Sequence, residues 1–481
     1  MRFSRPIGAV AGLVAALLLI SGCTAPLANH PDQLHYPTLE FKLPEVETLV
    51  LDNGIRLYLK EDRELPLVQI TALVGAGAIT TPMEKVGFED LFGSTWRSGG
   101  AGDRSPEELD ELLDHIAADL GTGMGPYSAQ LNLSLRAQDL VQGVSILADM
   151  LRRPGFAAER LELARLQAQE YVRRQNDNPG AISRRLLMAA LYPDSYLGYS
   201  PTHDTLANVS QQDLIDFHKR YFAPNKLWLA VSGDFDRDRL LQLLQQNLGD
   251  WQKRQVPDQL LPEVTRPDSG LIQVVSKDLP QTTIVIGDLG LTKDHPDQYA
   301  VRVFNYILGG GGFNSRMMRE IRSNRGLAYS AYSYFQVGRR LPGPFVAGTE
   351  TKNASVLQAV KLTRQIMAEL MATPVTEEEL RLAKESQINS FVLGFENTHS
   401  VVNRQMTLAF FDYPADYLSR YRDRIAAVTA EDVQRVAREY VDLSRQQLVL
   451  VGDPGEFSAE LEQLGLPVVD VDLEEHPEIV R

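Results

Sequence analysis

Val209-Ser-Gln-Gln-Asp-Leu-Ile-Asp-Phe-His-Lys-Arg-Tyr221 is echoed by Val428-Thr-Ala-Glu-Asp-Val-Gln-Arg-Val-Ala-Arg-Glu-Tyr440. Asp213 corresponds to Asp432, Tyr221 to Tyr440, and Gly233-Asp234 to Gly452-Asp453, each 219 positions apart (432 less 213) with no gap. In both copies Ser210 or Thr429 is placed to cap a helix, with an acidic residue three positions on near the positive end of its dipole. Leu214 and Phe217, or Val433 and Val436, then form an apolar face, and an apolar strand ending in a Gly-Asp turn follows. A repeat this long is no solenoid. It predicts two homologous halves.

Working outward, the halves span 46–250 and 271–455. A Pro-rich, polar linker at 251–270 joins them, and an acidic tail occupies 456–481. Strands such as Gln69–Val74 and Thr282–Ile286 mix irregularly with long helices such as Ala157–Arg174 and Glu377–Phe391. The expectation is an α+β fold of two pseudo-symmetric α/β-sandwich domains enclosing a chamber, with a ligand cleft between them.

The 481 residues are 44% hydrophobic and 23% charged, which suits a globular chain. A net charge of −15, without a basic aromatic stripe, argues against nucleic acid as a partner. At the start, Arg2 and Arg5 precede an apolar run from Ala9 to Ile20 that reads as a signal peptide over 1–22. Leu19-Ile20-Ser21-Gly22-Cys23 resembles a bacterial lipobox, with Cys23 lipidated and residues 23–45 a tether. The alternative is an ordinary cleaved signal that happens to contain a cysteine. Cys23 is the only cysteine, so no intrachain disulfide forms. Thr24 in the next position resembles outer-membrane sorting, so the expected location is the envelope, on the outer membrane facing the periplasm.

The second half carries Asn305-Tyr-Ile-Leu-Gly-Gly-Gly-Gly-Phe-Asn-Ser-Arg-Met-Met-Arg-Glu-Ile-Arg-Ser-Asn-Arg-Gly-Leu-Ala-Tyr329-Ser. This resembles the C-terminal signature of the insulinase/pitrilysin zinc peptidases, including the mitochondrial processing peptidase subunits. His218-Lys-Arg-Tyr-Phe-Ala-Pro-Asn225, leading to Gly233-Asp234, extends the resemblance over nearly the whole mature chain. It implies a metallohydrolase-like fold for both halves.

Catalytic members of that family carry H-x-x-E-H on a first-half helix, with a distant glutamate as third zinc ligand. Aligned through Gly87 and Ser98-Gly99-Gly100, the ligand positions fall on Asp90 and Ser94 and the base position on Gly93. The third ligand falls within Glu162–Glu170, with Glu170 the best match. The eight histidines include no pair at helical ligand spacing, and only His30 and His35 are near each other. The zinc motif is therefore expected to be degenerate, with no metal in this chain. Glu89, Asp90 and Glu170 could instead hold a harder ion such as Ca²⁺ or Mg²⁺.

The family's second element is an arginine and a tyrosine seven positions apart, matched by Arg322 and Tyr329. The resemblance implies that they act as catalytic residues toward a zinc. Arg offers a fork of donors to carbonyls, and a Tyr hydroxyl can donate to an oxyanion. Against this, Arg316, Arg319 and Arg325 share the spacing of a solvated helix, and Tyr329 could pack in a strand. Gly309, Gly310, Gly311 and Gly312 resemble the substrate-contacting loop of the non-catalytic processing-peptidase subunit; a turn needing positive φ is the alternative. Phe313-Asn314 excludes a phosphate loop.

The function expected from this is a zinc-free subunit, supplying the Arg/Tyr pair and a substrate chamber to a zinc-bearing insulinase-family partner in an envelope peptidase. A stand-alone peptide-binding or scaffold lipoprotein, or a weak peptidase using an atypical metal, are the alternatives.

Overall fold

The structure, a computed structural model, describes residues 41–473, so the signal peptide, Cys23 and most of the tether lie outside it. The described residues from Leu43 onward form one compact unit, and everything below belongs to it. Among the described residues no helix is long and apolar enough to cross a membrane.

The first half contributes strands β1 (Glu47–Val50), β2 (Arg56–Glu61), β3 (Leu67–Val74), β4 (Asp119–Met124), β5 (Ala129–Arg136) and β6 (Leu227–Gly233). Its helices are α1 (Phe88–Ser98), α2 (Pro106–His115), α3 (Leu140–Arg152), α4 (Ala158–Arg174), α5 (Pro179–Leu191), α6 (His203–Ala207), α7 (Gln211–Tyr221) and α8 (Arg237–Leu248). The second half contributes β7 (Leu271–Ser276), β8 (Gln281–Leu289), β9 (Ala331–Phe335), β10 (Pro344–Lys352), β11 (Gln447–Gly452) and β12 (Val468–Asp470). Its helices are α9 (Ala300–Asn305), α10 (Val356–Ala372), α11 (Glu377–Leu393), α12 (Thr398–Phe410), α13 (Tyr417–Ala426) and α14 (Ala430–Tyr440).

The repeat is visible as topology. The first sheet runs β1-β2-β6-β3-β5-β4 and the second β12-β7-β11-β8-β10-β9. In each, the strand after the repeated helix lies parallel to one neighbour and antiparallel to the other. The repeated helices begin as expected. Ser210 Oγ accepts from the Asp213 amide at 3.2 Å while Asp213 accepts from the Ser210 amide at 2.8 Å; Thr429 and Asp432 do the same at 3.2 and 3.1 Å. The fold is thus α+β, with two six-stranded sheets in one two-domain arrangement.

Three features go beyond the sequence reading. Helix α5 leaves its own half and packs Ile182, Leu186, Leu187 and Leu191 against Val275, Val285, Val346, Val449 and Val451 of the second sheet. Gly287 admits it: a Cβ there would lie 2.6 Å from a Leu187 methyl. Helix α12 crosses the other way, packing Val402, Met406 and Phe410 on Leu73 and Ala230 of the first sheet. The boundaries at 250 and 271 therefore mark the repeat, while the buried cores interlock across them. The linker is seated on both cores, for Val256 is buried in the first and Val264 packs against the second. Finally, the described part of the segment expected as an acidic tail is folded onto the second half. Leu461 and Leu464 are buried, and β12 pairs parallel with β7, because that sheet edge otherwise exposes unpaired backbone groups.

Candidate functional site

Helix α1 is built by its apolar face. Gly87 opens it at φ 94°, with its α-hydrogens against Leu206 and Pro201 where a Cβ would come within 2.6 and 2.9 Å. Phe88, Phe92 and Trp96 recur every four residues and are buried, and Trp96 Nε1 donates to the Met150 carbonyl at 2.8 Å. Phe92 meets Phe156, Phe217 and Phe222 at ring separations of 5.1, 5.3 and 5.8 Å. This is a core helix whatever chemistry it carries.

Asp90 and Ser94 are both exposed, on the face opposite that core. Between them Gly93 is pressed against β4: a Cβ at Gly93 would lie 3.1 Å from the Gly123 Cα, and the Thr122 hydroxyl donates to the Gly93 carbonyl at 2.7 Å. Only hydrogen fits there without displacement. Although solvent reaches Asp90, the protein around it raises its pKa by desolvation. Glu89 turns inward toward Tyr196; desolvation raises its pKa too, with one carboxylate oxygen and the Tyr196 hydroxyl both buried without a well-formed hydrogen bond.

Glu170 on α4 is engaged elsewhere. It accepts two bonds from Arg173 at 2.7 Å and pairs with Arg174 at 2.5 Å, and the Arg173 guanidinium holds its carboxyl at about 2. A zinc ion asks for imidazole, thiolate or free carboxylate donors. Asp90, Gly93, Ser94 and an Arg-paired Glu170 do not fit it. Among the described residues, His295, Asp297 and Glu439 form the one group with ligand atoms within 4.8 Å of each other, and Glu89, Asp90 and Glu170 are not in it. Even that group is filled by the Arg435 guanidinium, which donates to both Asp297 oxygens at 2.6 and 2.8 Å and to Glu439 at 3.3 Å.

The second cluster is assembled. Arg322 lies in a π-helical run, Met318–Asn324, and its guanidinium carbon sits 4.4 Å from the Tyr329 ring centre. On the expected alternative, Arg322 would resemble its neighbours in a charged helix. It does not. Arg316 grips Glu379 at 2.7 and 2.8 Å, Arg319 reaches Glu379 at 3.5 Å and Arg325 pairs with Glu320 at 2.5 Å. Among the described residues no carboxylate pairs with Arg322. Tyr329 precedes β9 and is 82% exposed, so it does not pack in a strand.

Phe313 also stands over Arg322, at 4.7 Å, and sequence reading passed over it. The available signal was an aromatic directly after four glycines. Those glycines have a reason other than a shared positive φ, which only Gly312 shows, at +57°. A Cβ at Gly309 would meet the Ser333 amide at 2.4 Å, one at Gly310 the Asn305 side chain at 2.4 Å, and one at Gly311 the Tyr306 carbonyl at 2.7 Å. Gly309 and Gly311 press on backbone atoms that cannot give way, while at Gly310 the Asn305 side chain could move. A groove of about 1070 Å³ between α2, α3 and α8, lined by Arg104, His115, Asp149 and Arg152 among others, includes none of these residues.

Residues 208–387 match the family described as "Peptidase M16 inactive domain". Over those residues the chain is M16-like, similar to the inactive domain of insulinase-family peptidases. The sequence contains no H-x-x-E-H. It is similar to an uncharacterized zinc protease of Mycobacterium leprae (strain TN), 25% identical over 356 residues, covering 70% of this chain and 77% of that one. It is also similar to the non-peptidase homolog YmxG of Helicobacter pylori (strain ATCC 700392 / 26695), 22% identical over 398 residues, covering 82% and 91%. Its fold matches the crystal structure of a peptidase M16 inactive domain from Pseudomonas fluorescens with a TM-score of 0.77 and 23% identity, over 85% of this chain and 98% of that one.

Proposed function

We propose that this M16-like chain is the metal-free subunit of a two-subunit envelope peptidase. A zinc-bearing insulinase-family partner brings the metal, and this chain brings Arg322, Tyr329 and the peptide-binding surface around Gly309–Gly312. The observation that carries the reading is that a half-buried Arg322 and an exposed Tyr329 are held together while Asp90, Gly93 and Ser94 offer no zinc site. With no carboxylate partner among the described residues, Arg322 keeps its donors for a peptide carbonyl or carboxylate. The Tyr329 hydroxyl can donate to the oxyanion that forms as a peptide bond is attacked. The relative named a non-peptidase homolog is consistent with a chain that does not hydrolyse peptides alone.

The proposal includes a lipid on Cys23 that holds the complex on the outer membrane facing the periplasm; its support is the Ile20-Ser-Gly-Cys23 junction after a short apolar run.

The test is to purify the mature chain metal-free and with a co-purifying zinc-bearing family member, and to assay both for zinc and for cleavage of a quenched-fluorescent peptide. The expected result is no stoichiometric zinc and no cleavage by the chain alone, with cleavage in the mixture. One zinc per chain, or cleavage by the chain alone, contradicts the proposal. A chain that binds peptide but has no such partner supports the scaffold alternative.

A further inference from the structure

Phe313 and Tyr329 are among the most exposed large side chains of the protein, at 68% and 82%. Burial of apolar surface therefore does not fix either ring. Both nevertheless stand within 4.7 Å of the Arg322 guanidinium carbon. Among the described residues no ring contact joins Phe313 to Tyr329, so the rings flank the cation rather than stack on each other.

Attraction between a guanidinium and an aromatic face restrains the side chain without using its N–H donors. Arg316 and Arg325 are held the other way, by carboxylates that consume those donors, and Arg319 lies 3.5 Å from Glu379 and 3.7 Å from Glu320. Arg322 alone among these four is held by rings, with no carboxylate paired to it among the described residues. The glycine run explains how Phe313 reaches it. Gly309–Gly311 press the turn against Ser333, Asn305 and Tyr306, and Gly312, at φ +57° with open space around it, redirects the chain.

We infer that Phe313 is a positioning residue: the packed glycine turn exists to set its ring over Arg322 and hold the guanidinium against Tyr329, donors free, for an incoming peptide. This rests on the reading of Arg322 and Tyr329 as the working pair.

The test uses the full mature chain. The rate of phenylglyoxal modification of Arg322 is followed by mass spectrometry in wild type and in Phe313→Ala, Phe313→Leu and Phe313→Tyr, with Arg316 as internal control. Arg322 should react about threefold faster in the Ala and Leu variants, the factor an exposed cation–aromatic contact supports. It should react at the wild-type rate in the Tyr variant, with Arg316 unchanged throughout. An unchanged Arg322 rate in Phe313→Ala, or full protection by leucine, overturns the inference. A parallel rise at Arg316 would mean general loosening, and would overturn it as well. In the complex with its zinc-bearing partner, Phe313→Ala should lower kcat/KM for the quenched-fluorescent peptide by a similar factor, restored by tyrosine. A complex without peptidase activity would overturn the functional reading, while the modification rates still decide the role of Phe313.

Discussion

His399 shows what single residues contribute to the join between the halves. It projects from α12 and lies between two strands of the first sheet, with Nε2 3.0 Å from Thr71 Oγ1 and Nδ1 2.9 Å from Ser232 Oγ. Thr71 spends its own hydrogen on Asn132, at 2.8 Å. It therefore accepts from Nε2–H, and in the neutral ring Nδ1 accepts from the Ser232 hydroxyl. Burial lowers the His399 pKa, and it holds His218, whose Nε2 lies 2.9 Å from the Leu151 carbonyl, at about 4. The sign follows from linkage: unfolded histidines take up protons near pH 6.5, the folded ones resist, and stability falls as pH drops through that range. For His218 the full cost by pH 4 is about 3 kcal/mol. Denaturant unfolding between pH 7 and 5 should show this decline, and His218→Gln should flatten it by close to one proton; an unchanged slope would contradict the burial argument.

At the scale of elements, the exchanged helices make the strongest claim. Leu187 on α5 is 1% exposed and fills the space left by Gly287. Leu187→Ala should cost about 2–5 kcal/mol, read as a lower denaturation midpoint with an unchanged slope. An effect under about 1 kcal/mol would mean that the helix is loosely seated. The repeat at 209–221 and 428–440 made both capped helices and their strands legible, since capping and alternation are local. The exchange of α5 and α12 was not legible, because an apolar helix face announces that it is buried without saying against which sheet. The same limit applies to β12, three residues long, whose pairing depends on a distant edge. The Arg322–Tyr329 pair was legible through its motif. The tight packing of Gly309–Gly311 was not, since nothing in the run names Ser333 as its neighbour.

For the whole molecule, interlocked cores predict one cooperative unfolding transition. Calorimetry should give a single endotherm, and a cut within 256–268 should leave the halves associated, held by α5 and α12. Two separated transitions would contradict the exchange as the main tie. Cys23→Ser should move the protein from the membrane to the soluble fraction, since anchoring needs the acyl chains; unchanged fractionation would remove the lipid from the proposal.

A site divided between two chains is tested most directly by turnover of a quenched-fluorescent peptide in the purified complex carrying Tyr329→Phe, with complex yield and melting temperature measured alongside. A shared site predicts a loss of at least about tenfold, or ~1.4 kcal/mol of barrier, with yield and melting temperature unchanged, because Tyr329 is exposed and only its hydroxyl is removed. Full activity of Tyr329→Phe in an intact complex would contradict it.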